Sequence, residues 1–498
     1  MKLQPTLKCR YTLIILLFCL PVSVFAKFDF NTNCLKAYGL IFELKLTSAR
    51  HMVASEKKVN PTNAIVPLLE NYIDFFQLLT TDNKDLFNQL KGYKAARLDM
   101  IAADDQNSPY YLYAQAEINM QWALIRSRFG EQFNAAMEIK KANSYLQDNA
   151  KKFPGFQMNA KGLGVINAVL GILPNGLMKS TLATFGIKGD LQKGIGMMQK
   201  LVTALPSSAL AHFYEEAVFY YSFVLTDVAH SPIAYIESKK YLARIPDSSL
   251  LKSYLKAYVC AKTGHNEEAI EVLSARPTGN LYTSFPYLEY LTGMVRLNKM
   301  DLNSGLYFNR FLEQNKGVSY VKDSYLHLGW IALLKGEGKD YATYVEKVKA
   351  LGYSFNERDK QAFNEVSLGT PNVSLLKARL LSDGGYYSRS QEVLGGLEEN
   401  ELKLVKDRTE YHYRLARNQE ELGKLDSALE NYQRAVDYGR NLKAHFAANS
   451  ALLMGKIYMK RKNFTAAKAS FNTAIGMKGH LYENSIESAA KDSLKRLN

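Results

Sequence analysis

The chain has 498 residues, 47% of them hydrophobic and 22% charged, and a formal net charge of +15. That apolar share can bury a large core, and the length admits several domains or one continuous solenoid. Four cysteines exclude a disulfide framework. The basic excess suits acidic protein segments, anionic lipid or nucleic acid, although no long run of like charge occurs.

The N-terminus reads as a secretory signal. Lys2, Lys8 and Arg10 make a positive n-region, Leu13 to Leu20 a short apolar core ended by Pro21, and Val24 and Ala26 put small residues ahead of Lys27. The run is short of the roughly 20 residues of a transmembrane helix. Segment 1–26 is therefore assigned as a signal peptide, with an uncleaved anchor as the alternative; Phe18 is too bulky for a lipoprotein signal at Cys19. Cleavage removes three cations, leaving about +12. It also removes Cys9 and Cys19, and leaves Cys34 and Cys260, which allow one disulfide. An exported chain with so few cysteines is expected in the periplasm or at the outer membrane of a Gram-negative bacterium, where a nucleic-acid partner is not expected.

Residues 27–205 are expected to be helical but irregular, with Ala114, Ala116, Trp122, Ala123, Ala135 and Ala136 as candidates for divergent repeats. Strand signals are nearly absent. The stretch Gly162 to Gly189 is apolar, glycine-rich, free of acidic residues and broken by Pro174. It reads either as a helix buried under the first repeats or as a membrane-contacting helix over 162–177, with Lys161 and Lys179 flanking it for anionic headgroups.

Residues 206–498 carry a beat of small residues. Ala257, Gly293, Gly329, Ala378, Ala416 and Gly455 stand 36, 36, 49, 38 and 39 residues apart, the period of a helix-turn-helix array. Pro206, Pro246, Pro277 and Pro371 mark helix boundaries. In the clearest unit Ala416, Gly423, Ala428, Tyr432 and Ala435 hold offsets 0, 7, 12, 16 and 19, the spacing of a tetratricopeptide repeat. Ala416 and Ala428 let two backbones approach, and Gly423 closes the turn. The next unit has Gly455, Ala467, Phe471 and Ala474, with Lys462 at the turn. The long 49-residue step contains material for one extra helix, about 356–366. The predicted fold is all-α: a tetratricopeptide-like right-handed solenoid preceded by the less regular region. Its repeat-packing residues are Ala257, Gly293, Gly329, Ala378, Ala416, Gly423, Ala428, Gly455 and Ala467.

The order Gly162-x-Gly164-x-x-Asn167, Leu170, Leu173-Pro174, Phe185-Gly186 and Gly189-Asp190 resembles the segment before the repeats in the family of tetratricopeptide repeat protein 39 and the inclusion body clearance protein. The resemblance covers about 105–345 and more loosely the rest. It implies a helical repeat protein without catalytic residues, linked to membranes or to clearance of aggregated protein. The export signal departs from that family, so a mitochondrial or cytosolic role is not carried over, and an exported bacterial relative is expected.

No catalytic residue, metal set or cofactor motif is expected. Gly162-x-Gly164 has Asn167 where a dinucleotide fingerprint needs glycine. His212, Glu215 and Glu216 can share a helix face, yet no second histidine completes a metal set. Such arrays bind partners along the first helix of each unit. Positions one after and three before each small residue are Tyr258, Met294, Trp330, Arg379, Arg417 and Lys456, and Tyr254, Tyr290, Leu326, Leu375, Tyr413 and Leu452; of these Tyr254, Tyr258, Tyr290, Trp330, Arg379, Tyr413, Arg417 and Lys456 are assigned to the partner-binding groove, aromatic early and basic late. That order suits a protein or peptide with an acidic segment. Packing between neighbouring helices explains the aromatics equally well. The expected function is a non-catalytic scaffold; a membrane-associated organiser and an unrecognised enzyme are the alternatives.

Overall fold

The computed structural model describes residues 28–173 and 176–497. The assigned signal peptide, 1–26, and the Pro174 break lie outside the described residues. Among the described residues the regular structure is helical throughout.

The first part comprises α1 (Thr32–Phe42), α2 (Leu46–Val59), α3 (Ile65–Thr81), α4 (Lys84–Leu90), α5 (Tyr93–Ala102), α6 (Pro109–Arg128), α7 (Gln132–Lys152), α8 (Asn159–Ile172), α9 (Leu177–Thr184), α10 (Leu191–Ala204), α11 (Tyr214–Phe223) and α12 (Ala234–Leu242). Six hairpins follow: α13/α14 (Leu250–Lys262, Asn266–Ser274), α15/α16 (Tyr287–Asn298, Gly305–Gln314), α17/α18 (Val321–Lys335, Gly338–Ala350), α20/α21 (Val373–Asp383, Tyr387–Gly395), α22/α23 (Val405–Glu421, Leu425–Gly439) and α24/α25 (Phe446–Lys460, Phe464–Gly476). The extra helix of the long step is α19 (Glu357–Ser367), packed on α17, and α26 (Glu483–Lys495) covers the last hairpin.

Each hairpin closes at its small residue. A Cβ on Gly293 would meet the Phe308 ring at 3.0 Å, and one on Gly455 would meet the Phe471 ring at 2.5 Å. Ala257, Ala378, Ala416, Ala428 and Ala467 are fully buried, and Gly329 packs on Tyr344. Seven residues after each small residue the chain turns through a left-handed conformation. Gly264, Gly336, Gly385 and Gly423 supply φ between 76° and 84°, but Met300 (72°) and Lys462 (60°) adopt it as non-glycines. The hairpin geometry demands that handedness and glycine is only its cheapest carrier.

The same register appears in the region read as irregular. Ala37, Leu44 (φ 60°) and Ala49 shape α1/α2, and Ala123, Gly130 (φ 82°) and Ala135 shape α6/α7. One hydrophobic core runs from Cys34 through Val295 to Val318, across the 205/206 boundary. The ends of the early helices pair with loops of the later array: Thr283 N donates to Leu44 O at 2.8 Å, and Val318 N to Asp82 O at 3.2 Å. The array also bends back on itself, so the turn at Gly385 touches Gly264, and Tyr386 bonds both Asn266 and Glu267.

The glycine-rich stretch is a close helix pair. α8 and α10 approach so tightly that a Cβ on Gly194 would lie 2.5 Å from Gly164 O and 2.6 Å from Ala168 N. Gly162, Gly164, Ile166, Ala168 and Leu170 are buried. Lys161 does not flank a membrane surface: it is fully buried, which corrects that part of the membrane expectation. No single described helix is long and apolar enough to cross a membrane; α8 and α9 pass such a test only as a pair, bent by 119°. Cys34 and Cys260 are both free thiols, so the disulfide that two cysteines allowed does not form.

Candidate functional site

The first helices of the hairpins pack in series, α13 on α15, α15 on α17, α17 on α20, α20 on α22 and α22 on α24. Their shared face carries a continuous strip of rings. From Tyr258 it runs to Tyr254 (5.7 Å between centroids), Tyr287 (5.9 Å), Tyr290 (5.4 Å), His327 (6.5 Å) and Trp330 (4.8 Å). Tyr320 bridges Tyr287 and Tyr290 at 4.8 Å from each. The Arg379 guanidinium then stacks on Trp330 at 4.7 Å and pairs with Glu365 of α19 at 2.8 Å. The structure thus brings Tyr254, Tyr258, Tyr290, Trp330 and Arg379 into one strip.

Their exposures differ. Tyr254 and Tyr258 are half-buried, and Tyr258 donates to Asp227 at 2.6 Å. Tyr290 and Trp330 are 2% and 3% exposed; Tyr290 donates to Asp323, while Trp330 Nε1 has no partner among the described residues. These two form the wall behind the face. Burial works against the charge of Arg379, but Glu365, Asp383 and Glu410 hold its pKa above the ordinary value.

Tyr413, Arg417 and Lys456 make a second group on α22 and α24. Tyr413 is 9% exposed and accepts from Asn449 Nδ2 at 2.9 Å. Tyr413 and then, against burial, Tyr432 and Glu420 raise the pKa of Arg417, whose one ion pair among the described residues is a loose 3.7 Å contact with Glu421. Burial lowers the pKa of Lys456, and among the described residues no carboxylate lies within 4 Å of it. On the same helix α22, Arg414 donates to Glu410 at 2.7 Å and lies over Phe446.

Sequence reasoning missed Tyr287, Tyr320 and His327 of the strip. Tyr287 lies one helical turn before Tyr290 on the same face, so extending the period would have found it. Tyr320 sits before α17 with φ 66°, a position no periodicity marks.

A second cluster was also missed, and it is closed to solvent. Lys161 Nζ lies 2.6 Å from Glu117 Oε2 and 2.6 Å from Glu216 Oε1. Tyr38 and Tyr72 donate to Glu216 at 2.6 and 2.7 Å, and Tyr113 and Tyr220 flank the ammonium. Burial pushes Glu117 up to about 7 in spite of Lys161. Burial likewise raises the four phenols well above 10, so they stay protonated. The signal was a lone lysine in an apolar stretch, since a charge so placed needs partners. His212, Glu215 and Glu216 do not converge: Glu215 accepts from Ser249 at 2.6 Å while Glu216 turns to Lys161. Among the described residues no three His, Cys, Asp or Glu side chains are grouped to hold a metal.

No protein-family model matches the chain, and no curated protein sequence matches it. Among solved structures it is similar to the crystal structure of the yeast Tom70, at 12% identity over 91% of this chain and 96% of that one, with a TM-score of 0.25. The architecture rests on this chain's own helix pairs: it is an all-α, tetratricopeptide-like array of helix hairpins.

Proposed function

We propose that this chain is a non-catalytic helical-repeat scaffold that binds protein segments along the face of its first helices. The observation that carries the reading is the continuous strip from Tyr258 to Arg379, followed by the weakly neutralised Arg417 and Lys456. Aromatic and arginine side chains are the usual anchors of interfaces, and an acidic partner segment would complement the basic end. The signal-like N-terminus supports a place in the cell envelope, at the periplasm or the outer membrane of a Gram-negative bacterium. The 162–190 motif supports kinship with the tetratricopeptide repeat protein 39 and inclusion body clearance family. The test is in-cell crosslinking beside a variant carrying Arg379→Glu, Arg417→Glu and Lys456→Glu. A defined protein captured by the native chain and lost from the variant supports the scaffold. Recovery of lipid without protein overturns it.

One observation favours a second reading, contact with a membrane at the α8–α9 corner. Leu177 is 60% exposed, Ile172 and Phe185 are exposed as well, and the exposed cations Lys179 and Lys188 lie close to them in sequence. The body of α8 is buried, so only this corner is available. Flotation with anionic vesicles tests it: binding abolished by Leu177→Asp with Phe185→Asp supports the reading, and no binding by the native chain removes it.

A further inference from the structure

The helix that interrupts the repeat period, α19, lies along the strip. Its residues Asp359, Ala362, Glu365 and Val366 share one face by helical spacing. The Asp359 carboxylate accepts from the backbone N–H of Tyr320 at 2.6 Å and of Asp323 at 3.0 Å, at the start of α17. Ala362 is fully buried in the core that holds Tyr290 and Trp330, and Val366 packs against that core. Glu365 pairs with Arg379, whose guanidinium stacks on Trp330. Successive turns of α19 thus meet Tyr320, the core of Tyr290 and Trp330, and Arg379, in the order of the strip.

The hold on α19 is light. Of its residues Asp359 and Ala362 are buried, whereas its largest apolar side chain, Phe363, is 46% exposed. The helix therefore buries little apolar surface. Its first turn borders open space: Asn356, Glu357 and Lys360 line a cavity of about 450 Å³ against the ends of α3 and α6, with Tyr254, Tyr287 and Tyr320 lining it too. Gly352 and Gly369 flank the helix in left-handed conformations, with φ of 76° and 87°. A helix with so little buried apolar area, bounded by such glycines, opens more easily than the hairpins around it.

We propose that α19 is an internal occupant of the strip, and that the partner segment is an amphipathic helix that takes its place, with a small residue where Ala362 stands and a carboxylate where Glu365 stands. The inference rests on the scaffold reading and names the form of the partner. An amphipathic helix laid in a groove is an established mode of recognition. A helix tethered in the same chain competes at high effective concentration, so the partner must add contacts. Arg417 and Lys456 supply them: they stand on α22 and α24, past the Arg379 contact that α19 makes last, and further carboxylates on a longer partner helix would engage them.

The probe is a fluorescent peptide of residues 356–368, stapled into a helix through positions 360 and 364 on the side away from Ala362. Anisotropy measures its binding to the full chain and to Ala362→Glu, which puts a charge on the buried contact and releases α19. The released chain should bind the peptide at least about tenfold more tightly than the native chain. Its affinity should fall about tenfold for a peptide carrying Glu365→Lys, and return when the chain also carries Arg379→Glu. With Trp122→Phe, Trp330 is the sole tryptophan; its quenching by iodide should rise on release and fall again when the peptide is added. Glu365→Gln, at a half-buried position, is the milder release should Ala362→Glu not fold. No binding to either released chain, equal affinity for native and released chains, or indifference to Glu365→Lys would overturn the inference, even if a protein is still captured by crosslinking in cells. Failure of the scaffold reading shows differently, as peptide binding with no protein captured, and it removes the partner along with it.

Discussion

Lys161 Nζ lies 2.6 Å from Glu216 Oε1, and neither side chain has any exposure to solvent. The two come from helices 55 residues apart in sequence, and Glu117 closes the trio from α6. Burying an ammonium is costly unless partners compensate it. Here the two carboxylates do so, and hydroxyls of Tyr38 and Tyr72 satisfy Glu216 further. Tyr38 lies 178 residues from Glu216, so the cluster ties the first helix to the body of the molecule.

Lys161→Met should therefore destabilise the fold by about 3–5 kcal/mol, because it strands Glu117 and Glu216 without a counter-charge. Arg417→Met, which removes a loose exposed pair, should cost less than about 1 kcal/mol. Urea denaturation of the two variants measures the contrast, and equal losses would mean that the buried trio has no special weight.

Stability should depend on pH through Glu215, which burial pushes up to about 7 from 4.5. Its native form binds the proton more tightly than the unfolded chain does, so stability is lost as pH rises from about 4.5 to about 7. His212 acts in the opposite sense. Burial lowers it to about 4, and stability is lost as pH falls from 6.5 towards that value. Glu215→Gln keeps an oxygen to accept from Ser249 and should remove its share of the first slope. The variant should gain on the native protein between pH 5 and pH 7.5 in denaturant titrations, and parallel curves would contradict the assignment.

At the hairpin turns, Met300→Gly and Lys462→Gly should stabilise by about 0.5–1 kcal/mol, since glycine carries the left-handed conformation without a Cβ penalty. Gly423→Ala should destabilise by about 1 kcal/mol. Thermal unfolding of the three single variants checks the sign at each site.

Two glycines should differ in how well they tolerate a methyl group. At Gly455 the obstacle is the Phe471 side chain, whereas at Gly194 it is the backbone of Gly164 and Ala168. Gly455→Ala should cost about 1–3 kcal/mol and be partly rescued by Phe471→Leu. Gly194→Ala should fall at or beyond the upper end of that range, because no side-chain change can make room. Calorimetric melting of the single and double variants tests the distinction.

The thiols of Cys34 and Cys260 are buried, and burial raises both to about 12. A thiol reagent at pH 8 should modify neither in the native protein and both in denaturant. Rapid native labelling of either would contradict the packing around it.

The repeat architecture was legible because it is local. The small residues at Ala257, Gly293, Gly329, Ala378, Ala416 and Gly455 recur at a helix-hairpin period, and each hairpin is closed by residues within about 20 positions of each other. Even the extra helix α19 showed as surplus length. The regular hairpins α1/α2 and α6/α7 were harder to see, because Leu44 stands where glycine marks the turn and only two such units occur. Of the candidate face, the period located Tyr254 and Tyr258, but it could not show that Tyr290 and Trp330 lie behind the surface, since burial depends on what the neighbouring hairpins bring.

By itself the sequence determined an all-helical array and the positions of its close contacts, both consequences of short-range spacing. Only the tertiary structure decided where Lys161 goes, that Gly164 and Gly194 bring α8 and α10 into contact, and that α3 and α6 wall off a cavity against Tyr254, Tyr287 and Tyr320. Those relations join residues tens to hundreds of positions apart. A buried charge and a cavity are set by the partners that surround them in space, and hydrophobic periodicity carries no record of which distant element supplies the partner.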